Sequence, residues 1–147
     1  MTGRTVLIAD DDPLLCDLVV NALRIAGHEA GAVRNGREAL DYVRRRRTDL
    51  IILDACMPVM DGYQTLGVLK ASPACRHIPV LMLTARRDRR DVVTARDLGA
   101  AGYVIKPFAV PALLERVSGM LTRRPLAPDT TGRAAGIARI DNTEWID

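Results

Sequence analysis

Short apolar runs alternate along the chain with longer amphipathic stretches. Compact apolar runs occupy residues 6–9, 50–53, 78–83 and 103–105, and a weaker one covers residues 28–33. The run at residues 50–53 consists of four large apolar side chains and is rich in Ile, which is typical of a strand covered on both faces. Such strands belong to parallel sheets packed between helices.

The stretches between these runs have the apolar spacing of helices. The first helix follows Pro13 and stops at Gly27, and the others are predicted around residues 37–46, 63–71, 86–98 and 110–121. Strand and helix therefore alternate five times, which predicts a three-layer, doubly wound α/β fold with a five-stranded parallel sheet. The apolar face of the first helix is predicted to contain Leu14, Leu15, Leu18, Val19, Ala22 and Leu23.

Four of the five predicted strands end in a polar group. Asp10 and Asp11 follow the first strand, Asp54 the third, Thr84 the fourth and Lys106 the fifth. The carboxyl ends of parallel strands form the ligand crevice of open α/β sheets, so these side chains are candidates for one site. For Asp54 the structural alternative is a cap of the following turn. Among the three adjacent acids, Asp12 before Pro13 is a good helix N-cap, which leaves Asp10 and Asp11 unexplained.

Composition narrows the environment and the partners. The 147 residues include three cysteines without metal-binding spacing, no signal-peptide pattern and no apolar run long enough for a membrane span, so we expect one soluble domain in a reducing cytoplasm. The net charge is +3, and the run Arg44 to Arg47 closes a predicted helix, where cations complement the helix dipole. Few aromatic residues are available for base stacking, so we do not expect this chain to bind nucleic acid. Because no apolar run is long enough for a membrane span, we do not expect it to bind a membrane either.

Four segments together resemble the receiver domain of bacterial two-component response regulators. They are residues 8–12 (IADDD), 53–62 (LDACMPVMDG), 83–85 (LTA) and 103–108 (YVIKPF). The resemblance covers about residues 4–122 and implies a flavodoxin-like strand order 2-1-3-4-5. We therefore assign residues 1–123 to a receiver domain and residues 124–147 to a tail or linker.

The resemblance also implies roles for individual residues. Asp54 is expected to be the phosphoacceptor for a sensor histidine kinase or a phosphotransfer protein, and the chain is expected to be a signalling protein and not an enzyme. Asp11, Asp54 and the backbone carbonyl of Cys56 are the implied direct ligands of Mg²⁺, and Asp10 the implied ligand through water.

Three further residues carry the implied switch. Lys106 is expected to pair first with Asp54 and then with the phosphoryl group, and the Lys106–Pro107 bond to be cis. Thr84 is expected to turn toward the phosphoryl oxygens, with Tyr103 following inward. This switch is implied to alter the surface of the fourth helix, fifth strand and fifth helix for partner binding or homodimerisation.

Two positions near the site vary within the family. Cys56 follows the phosphoacceptor by two residues and Arg86 follows Thr84 by two, where side chains tune the lifetime of the phosphorylated state. The thiol of Cys56 is interpreted either as a gatekeeper or as a buried, inert cysteine.

A haloacid-dehalogenase-like phosphatase is the alternative from another class. In that case Asp10 would be the nucleophile, but such enzymes need Thr or Val where this chain has Leu14, and no substrate-covering cap is evident. A second alternative keeps the receiver and makes it a fragment of a longer regulator with a DNA-binding or enzymatic output.

The apolar residues Ile137, Ile140, Trp145 and Ile146 predict that the tail docks on the switch surface, with a passive linker as the equal alternative.

Overall fold

Five parallel strands and five helices alternate along the chain. The computed structural model describes residues 3–85 and 89–122, without the side chains of residues 89–91. The strands are β1 (Thr5–Ala9), β2 (Glu29–Val33), β3 (Leu50–Asp54), β4 (Val80–Thr84) and β5 (Gly102–Ile105). The helices are α1 (Pro13–Ile25), α2 (Gly36–Arg45), α3 (Gly62–Ala71), α4 (Arg89–Asp97) and α5 (Val110–Thr122).

The sheet has the order β2-β1-β3-β4-β5, and every neighbouring pair is parallel. The predicted fold class and strand order are therefore confirmed. The predicted ends of most elements lie within about two residues of the observed ones, as expected where helix ends fray. The described part of α4 is Arg89–Asp97, and residues 86–88, where the pattern predicted the start of this helix, lie outside the described residues.

Two hydrophobic layers cover the sheet. Leu50 and Ile52 of β3 pack with α1 and α5, whereas Ile51 and Leu53 pack on the opposite face with α2, α3 and α4. Successive side chains of a strand point to opposite faces, so an unbroken apolar run is needed where both faces are covered. All four of these residues are fully buried, as the sequence pattern predicted.

The inward face of α1 differs from the prediction. Cys16, Val19 and Leu23 are the buried residues of the helix, at spacings of three and four. Leu14 and Leu18 were predicted to be buried but are 74% and 58% exposed. The helix has more apolar positions than its core face can accommodate, so the pattern alone indicated too broad a buried face.

Candidate functional site

The sheet register brings the first and third strands together at the carboxyl edge. Ala9 pairs with Leu53, so the next residues along the two strands, Asp10 and Asp54, lie side by side. Asp10 continues the sheet, because its N–H donates to the carbonyl of Val33 at 3.0 Å. Carboxylate oxygens from Asp10, Asp11 and Asp54 lie within 4.8 Å of one another. The three acids that the sequence placed at strand ends therefore form one cluster.

Asp10 is held on all sides. Its side chain is fully buried, its Oδ1 accepts a hydrogen bond from the N–H of Asp12 at 2.9 Å, and its Oδ2 lies 2.9 Å from Nζ of Lys106. This ion pair is short, but Oδ2 has no partner at the angles of a regular hydrogen bond. A buried carboxylate oxygen whose hydrogen bonding is incomplete can accept a further donor, such as metal-bound water.

The thiol of Cys16 is a contact that the sequence analysis missed. Cys16 Sγ donates to the carbonyl oxygen of Asp10 at 3.3 Å. Burial, and then the charge of Asp10, raise the pKa of the thiol to about 11, which keeps it protonated as a donor. The sequence did contain a signal for this contact. Cys16, Val19 and Leu23 have the three- and four-residue spacing of one helical face, which places Cys16 on the side of α1 that packs against the sheet.

Asp12 is the N-cap of α1, as predicted. Its Oδ1 accepts from the N–H groups of Leu14 and Leu15 at 3.0 and 3.3 Å, and Pro13 opens the helix. Asp11 is exposed at the mouth of the cluster. The three adjacent acids thus divide into a buried residue, an exposed residue and a helix cap.

Asp54 ends β3 with its side chain 6% exposed and its Oδ1 3.3 Å from Lys106 Nζ. Burial and the neighbouring charge of Asp10 raise its pKa from 3.8 to about 6, although Lys106 and a hydrogen bond from the backbone N–H of Cys56 act in the opposite direction. The N-cap of α3 is a different residue, Asp61, in a capping box with Gln64.

Lys106 connects the two buried acids. Its N–H donates to the carbonyl of Thr84 at 2.8 Å, which continues the ladder between β4 and β5 and fixes the start of its side chain. Burial lowers the pKa of Lys106, but the close contact with Asp10 and the attraction of both carboxylates together outweigh burial and raise it. The following Lys106–Pro107 bond is cis, as the sequence resemblance implied.

Thr84 and Tyr103 lie on the strands beside Asp54. Thr84 ends β4, with its side chain buried, and pairs with Ile105 of β5. Tyr103 is 3% exposed and packs in the core cluster that contains Val92 and Ala95 of α4. Its ring is therefore buried between β5 and α4 in this structure.

The loop from β3 to α3 is tightly built. A Cβ atom at Gly62 would lie 2.2 Å from the carbonyl oxygen of Asp54, so only glycine fits there. Val59 has φ of 70°, and the N–H of Met60 donates to the carbonyl of Pro58 at 2.7 Å, which closes a three-residue γ-turn. A β-branched residue in this conformation is strained. The loop is thus held in one shape next to the acid cluster.

Cys56 is exposed in this loop, so the interpretation of its thiol as buried and inert is wrong. Arg86 and the tail of residues 123–147, including the predicted docking of Trp145, lie outside the described residues. Within the described part of the chain, no helix combines the length and the apolar character that a membrane span needs.

Comparison with known proteins agrees with this geometry. The family model for the response regulator receiver domain matches residues 6–118. The chain belongs to the response regulator receiver family. The general function of these receivers is to be phosphorylated by a histidine kinase in a two-component relay, and they generally bind Mg²⁺ at an acidic pocket. The family is generally not enzymatic, and the phosphatase alternative is not favoured.

Two curated relatives are named as a DNA-binding and a transcriptional regulator. The DNA-binding response regulator MtrA of Mycolicibacterium smegmatis is 38% identical over 125 residues, which are 85% of this chain and 54% of that protein. The transcriptional regulatory protein PrrA of Mycobacterium bovis is 34% identical over 155 residues, covering 96% of this chain and 66% of that protein. This chain thus spans about half to two thirds of their length.

Two solved structures have the same fold. The receiver domain of a histidine kinase from Syntrophus aciditrophicus has a TM-score of 0.78 at 36% identity, over 87% of this chain and 97% of that one. The chemotaxis response regulator CheY4 of Vibrio cholerae has a TM-score of 0.77 at 32% identity, over 82% of this chain and 100% of that one. Both align along nearly their whole length, so the receiver fold accounts for most of this chain.

Proposed function

We propose that Asp54 accepts a phosphoryl group from the phosphohistidine of a sensor kinase or phosphotransfer protein. The observation that carries the proposal is its buried carboxylate, 3.3 Å from the ammonium of Lys106 and clustered with Asp10 and Asp11. A carboxylate is a competent nucleophile toward phosphorus. One oxygen of Asp54 bonds to phosphorus, the P–N bond breaks, and its electron pair stays on the imidazole nitrogen of the donor.

The acid cluster fits Mg²⁺. Asp11 and Asp54 would hold the ion directly with the backbone carbonyl of Cys56, and Asp10 would hold it through water, an oxygen-only set that suits this hard cation. The incompletely hydrogen-bonded Oδ2 of Asp10 supports this role. When bound, the ion neutralises charge on the acids and on the phosphoryl oxygens.

Lys106 and Thr84 would then respond to the phosphoryl group. Lys106 offers a compact positive charge to a phosphoryl oxygen while it still faces Asp10, 2.9 Å away. Thr84 offers its hydroxyl from the adjoining strand. Because Lys106 is hydrogen-bonded through its backbone to Thr84, a movement of either residue reaches β5, where Tyr103 packs under α4. We infer that the surface of α4, β5 and α5 changes for a downstream protein or for homodimerisation.

The kinase would approach over α1. Leu14, Leu18 and Ile25 are 74%, 58% and 87% exposed, and their helical spacing places them within one narrow stripe. The stripe begins two residues after Asp12, beside the acid cluster. An apolar helix of the kinase that carries the phosphohistidine fits such a face, since contiguous exposed apolar surface marks interaction sites.

The wider role follows from the relatives and remains part of the proposal. Their names describe DNA-binding and transcriptional regulators, and the chain spans only part of their length. We infer a cytoplasmic receiver of residues 1–123 that acts alone or controls an output domain, with residues 124–147 as its tail or linker. Nucleic-acid contact would belong to an output domain and not to this receiver.

The first experiment compares Asp54→Asn with Asp61→Asn. Asp61 is the matched control, because it is an acid in the same loop whose side chain caps α3. With acetyl phosphate and Mg²⁺, the wild type and Asp61→Asn should gain one phosphoryl group by mass spectrometry, and Asp54→Asn none. Base-labile, acid-stable phosphate on Asp54→Asn at the wild-type level would disprove the assignment.

A second experiment tests the approach of the kinase. Leu14→Ser with Leu18→Ser should slow transfer from a phosphorylated sensor kinase by roughly tenfold or more, because the two hydroxyls interrupt the exposed apolar stripe on which the kinase would dock. Phosphorylation by acetyl phosphate should be unchanged, since that donor needs no protein docking surface. If the sensor kinase phosphorylates the double variant as fast as the wild type, α1 is not its docking surface.

A further inference from the structure

A second polar depression lies at the opposite, amino edge of the sheet. It is an open cleft of about 560 Å³ between the segments that lead into β3 and β4. Its lining residues are Val43, Arg46, Arg47, Thr48, Asp49, Ala74, His77, Ile78 and Pro79. Small-molecule pockets have volumes of about 300–1,000 Å³ and combine an apolar lining with a few convergent polar groups. This cleft has both features.

The rim of the cleft is fixed by hydrogen bonds. The N–H of Thr5 donates to Oδ2 of Asp49 at 2.8 Å, and the N–H of Asp49 donates to the carbonyl of Thr5 at 2.8 Å. The hydroxyl of Thr48, which is buried, donates to the carbonyl of Arg46 at 3.1 Å. The backbone that carries the two arginines is therefore held in place before any ligand binds.

The cations of the rim lack strong anionic partners within the described residues. Arg46 places its guanidinium 5.2 Å from the ring centre of Tyr42 and forms no ion pair with any residue that the structure describes. Arg47 has one carboxylate partner, Asp49, at 3.9 Å, and Arg47 is 84% exposed. Arg45 and Arg76 lie nearby on the same segments and are also exposed. Among the lining residues, Arg46 and Arg47 against Asp49 leave a surplus of one positive charge, and Arg45 and Arg76, which do not line the cleft, add positive charge on the neighbouring surface.

We propose that this cleft binds a small organic phosphate, such as a nucleoside monophosphate. The guanidinium groups of Arg46 and Arg47 match the geometry of phosphate oxygens, and such charge-assisted hydrogen bonds are the strong ones. The apolar floor, which includes Val43, Ile78 and Pro79, receives the organic part of the ligand. The site is independent of phosphorylation at Asp54, which lies at the other end of β3.

The test titrates the full chain with adenosine monophosphate in EDTA, so that the acid cluster cannot bind the nucleotide through a metal. Backbone amide signals of Thr48, Ala74 and His77 should shift with a Kd of roughly 0.1–1 mM. Arg46→Gln and Arg47→Gln should each weaken binding by about fivefold or more, since each removes a charge-assisted contact. Arg37→Gln is the matched control, an exposed arginine of α2 that does not line the cleft.

Adenosine and inorganic phosphate, the two parts of adenosine monophosphate, test the apolar side and the arginine side of the cleft separately. Adenosine should bind at least tenfold more weakly, because it lacks the phosphate, and inorganic phosphate should shift the arginine side alone and bind more weakly. The proposal fails if none of these amides shifts, if Arg37→Gln loses as much affinity as Arg47→Gln, or if adenosine or inorganic phosphate binds as well as the nucleotide. Binding of an acidic peptide or duplex DNA without binding of the nucleotide would also overturn it.

Discussion

The two ends of the parallel strands differ in the sign of their charged groups and in the burial of those groups. At the carboxyl edge, Asp10 and Asp54 are buried and bound to one lysine at 2.9 and 3.3 Å. At the amino edge, Arg46 and Arg47 are exposed, and the ion pair of Arg47 is 3.9 Å long. Buried charges shift one another's pKa and so can produce a reactive group. Exposed charges are screened by water, and their main effect is to attract charged ligands.

Gly62→Ala should produce the largest loss of stability at the carboxyl edge. A Cβ atom there would meet the backbone oxygen of Asp54 at 2.2 Å, so the loop must move, and we expect a loss of about 3 kcal/mol in the free energy of unfolding. Gly67→Ala is the control, because its Cβ has nothing within 4 Å and lies in α3, where Ala should stabilise by about 0.5–1 kcal/mol. Urea denaturation of both variants measures the difference, and equal effects would mean that the loop is not tightly packed.

The buried charge of Asp54 should make the metal-free protein more stable as the pH falls. Its pKa is raised from 3.8 to about 6, so the folded state binds a proton more tightly than the unfolded state between these values. At pH 7 the charged, buried Asp54 therefore costs stability, and Asp54→Asn should be more stable than the wild type by about 2–3 kcal/mol in EDTA.

This advantage of Asp54→Asn should shrink to well under 1 kcal/mol near pH 4, where the wild-type carboxyl group is protonated. Denaturation curves of the two proteins at pH 4, 5, 6 and 7 test the trend. A constant difference across this range would show that the charge of Asp54 is not costly in the fold.

Lys106→Met should increase the affinity for Mg²⁺ by roughly tenfold at pH 8, because the ammonium competes with the cation for the same carboxylates. This expectation comes from the contact between Lys106 and Asp10, at 2.9 Å. Lys70→Met is the matched control, since Lys70 instead donates to the carbonyls of Arg76 and Ile78. Calorimetric titration with Mg²⁺ measures both variants, and weaker binding by Lys106→Met would mean that the lysine orients the acids more than it competes.

Val59→Gly should stabilise the protein by about 1 kcal/mol, because glycine adopts a positive φ without steric cost. Val59 has φ of 70° and its side chain is 79% exposed, so little packing is lost. Val59→Ala should gain less, since Ala keeps a Cβ atom. Melting temperatures of the two variants decide the point, and destabilisation by glycine would show that the Val59 side chain makes a contact that matters.

Arg47→Gln should have the smallest effect, within about 0.5 kcal/mol of the wild type, because exposed ion pairs contribute little. Its ion pair with Asp49 is long and 84% exposed on the arginine side. Chemical denaturation at low and high salt tests this. A loss above about 1 kcal/mol would contradict the division between a structural carboxyl edge and an open amino edge.

Much of the fold could be predicted because burial on both faces requires unbroken apolar strands, and those runs are visible in the sequence. The fully buried Leu50–Leu53 run and the alternation of strands with helices are sufficient for a parallel α/β sheet. The edge on which Asp10, Asp54, Thr84 and Lys106 meet also follows, since parallel strands end together. Leu14 and Leu18 were misplaced because a helix can carry apolar residues on the surface that binds a partner, and periodicity does not separate these from the core.

The sequence by itself determined the strands, the helix cap at Asp12, and the polar residues at the strand ends. Only the tertiary structure decided that Lys106 lies closer to Asp10 than to Asp54, that Cys16 donates to the backbone of Asp10, and that Arg46 and Arg47 line a cleft. The physical reason is that strand and helix formation depend on neighbours along the chain. Ion pairs, close packing at Gly62 and shared clefts depend on residues that meet only when the sheet is assembled.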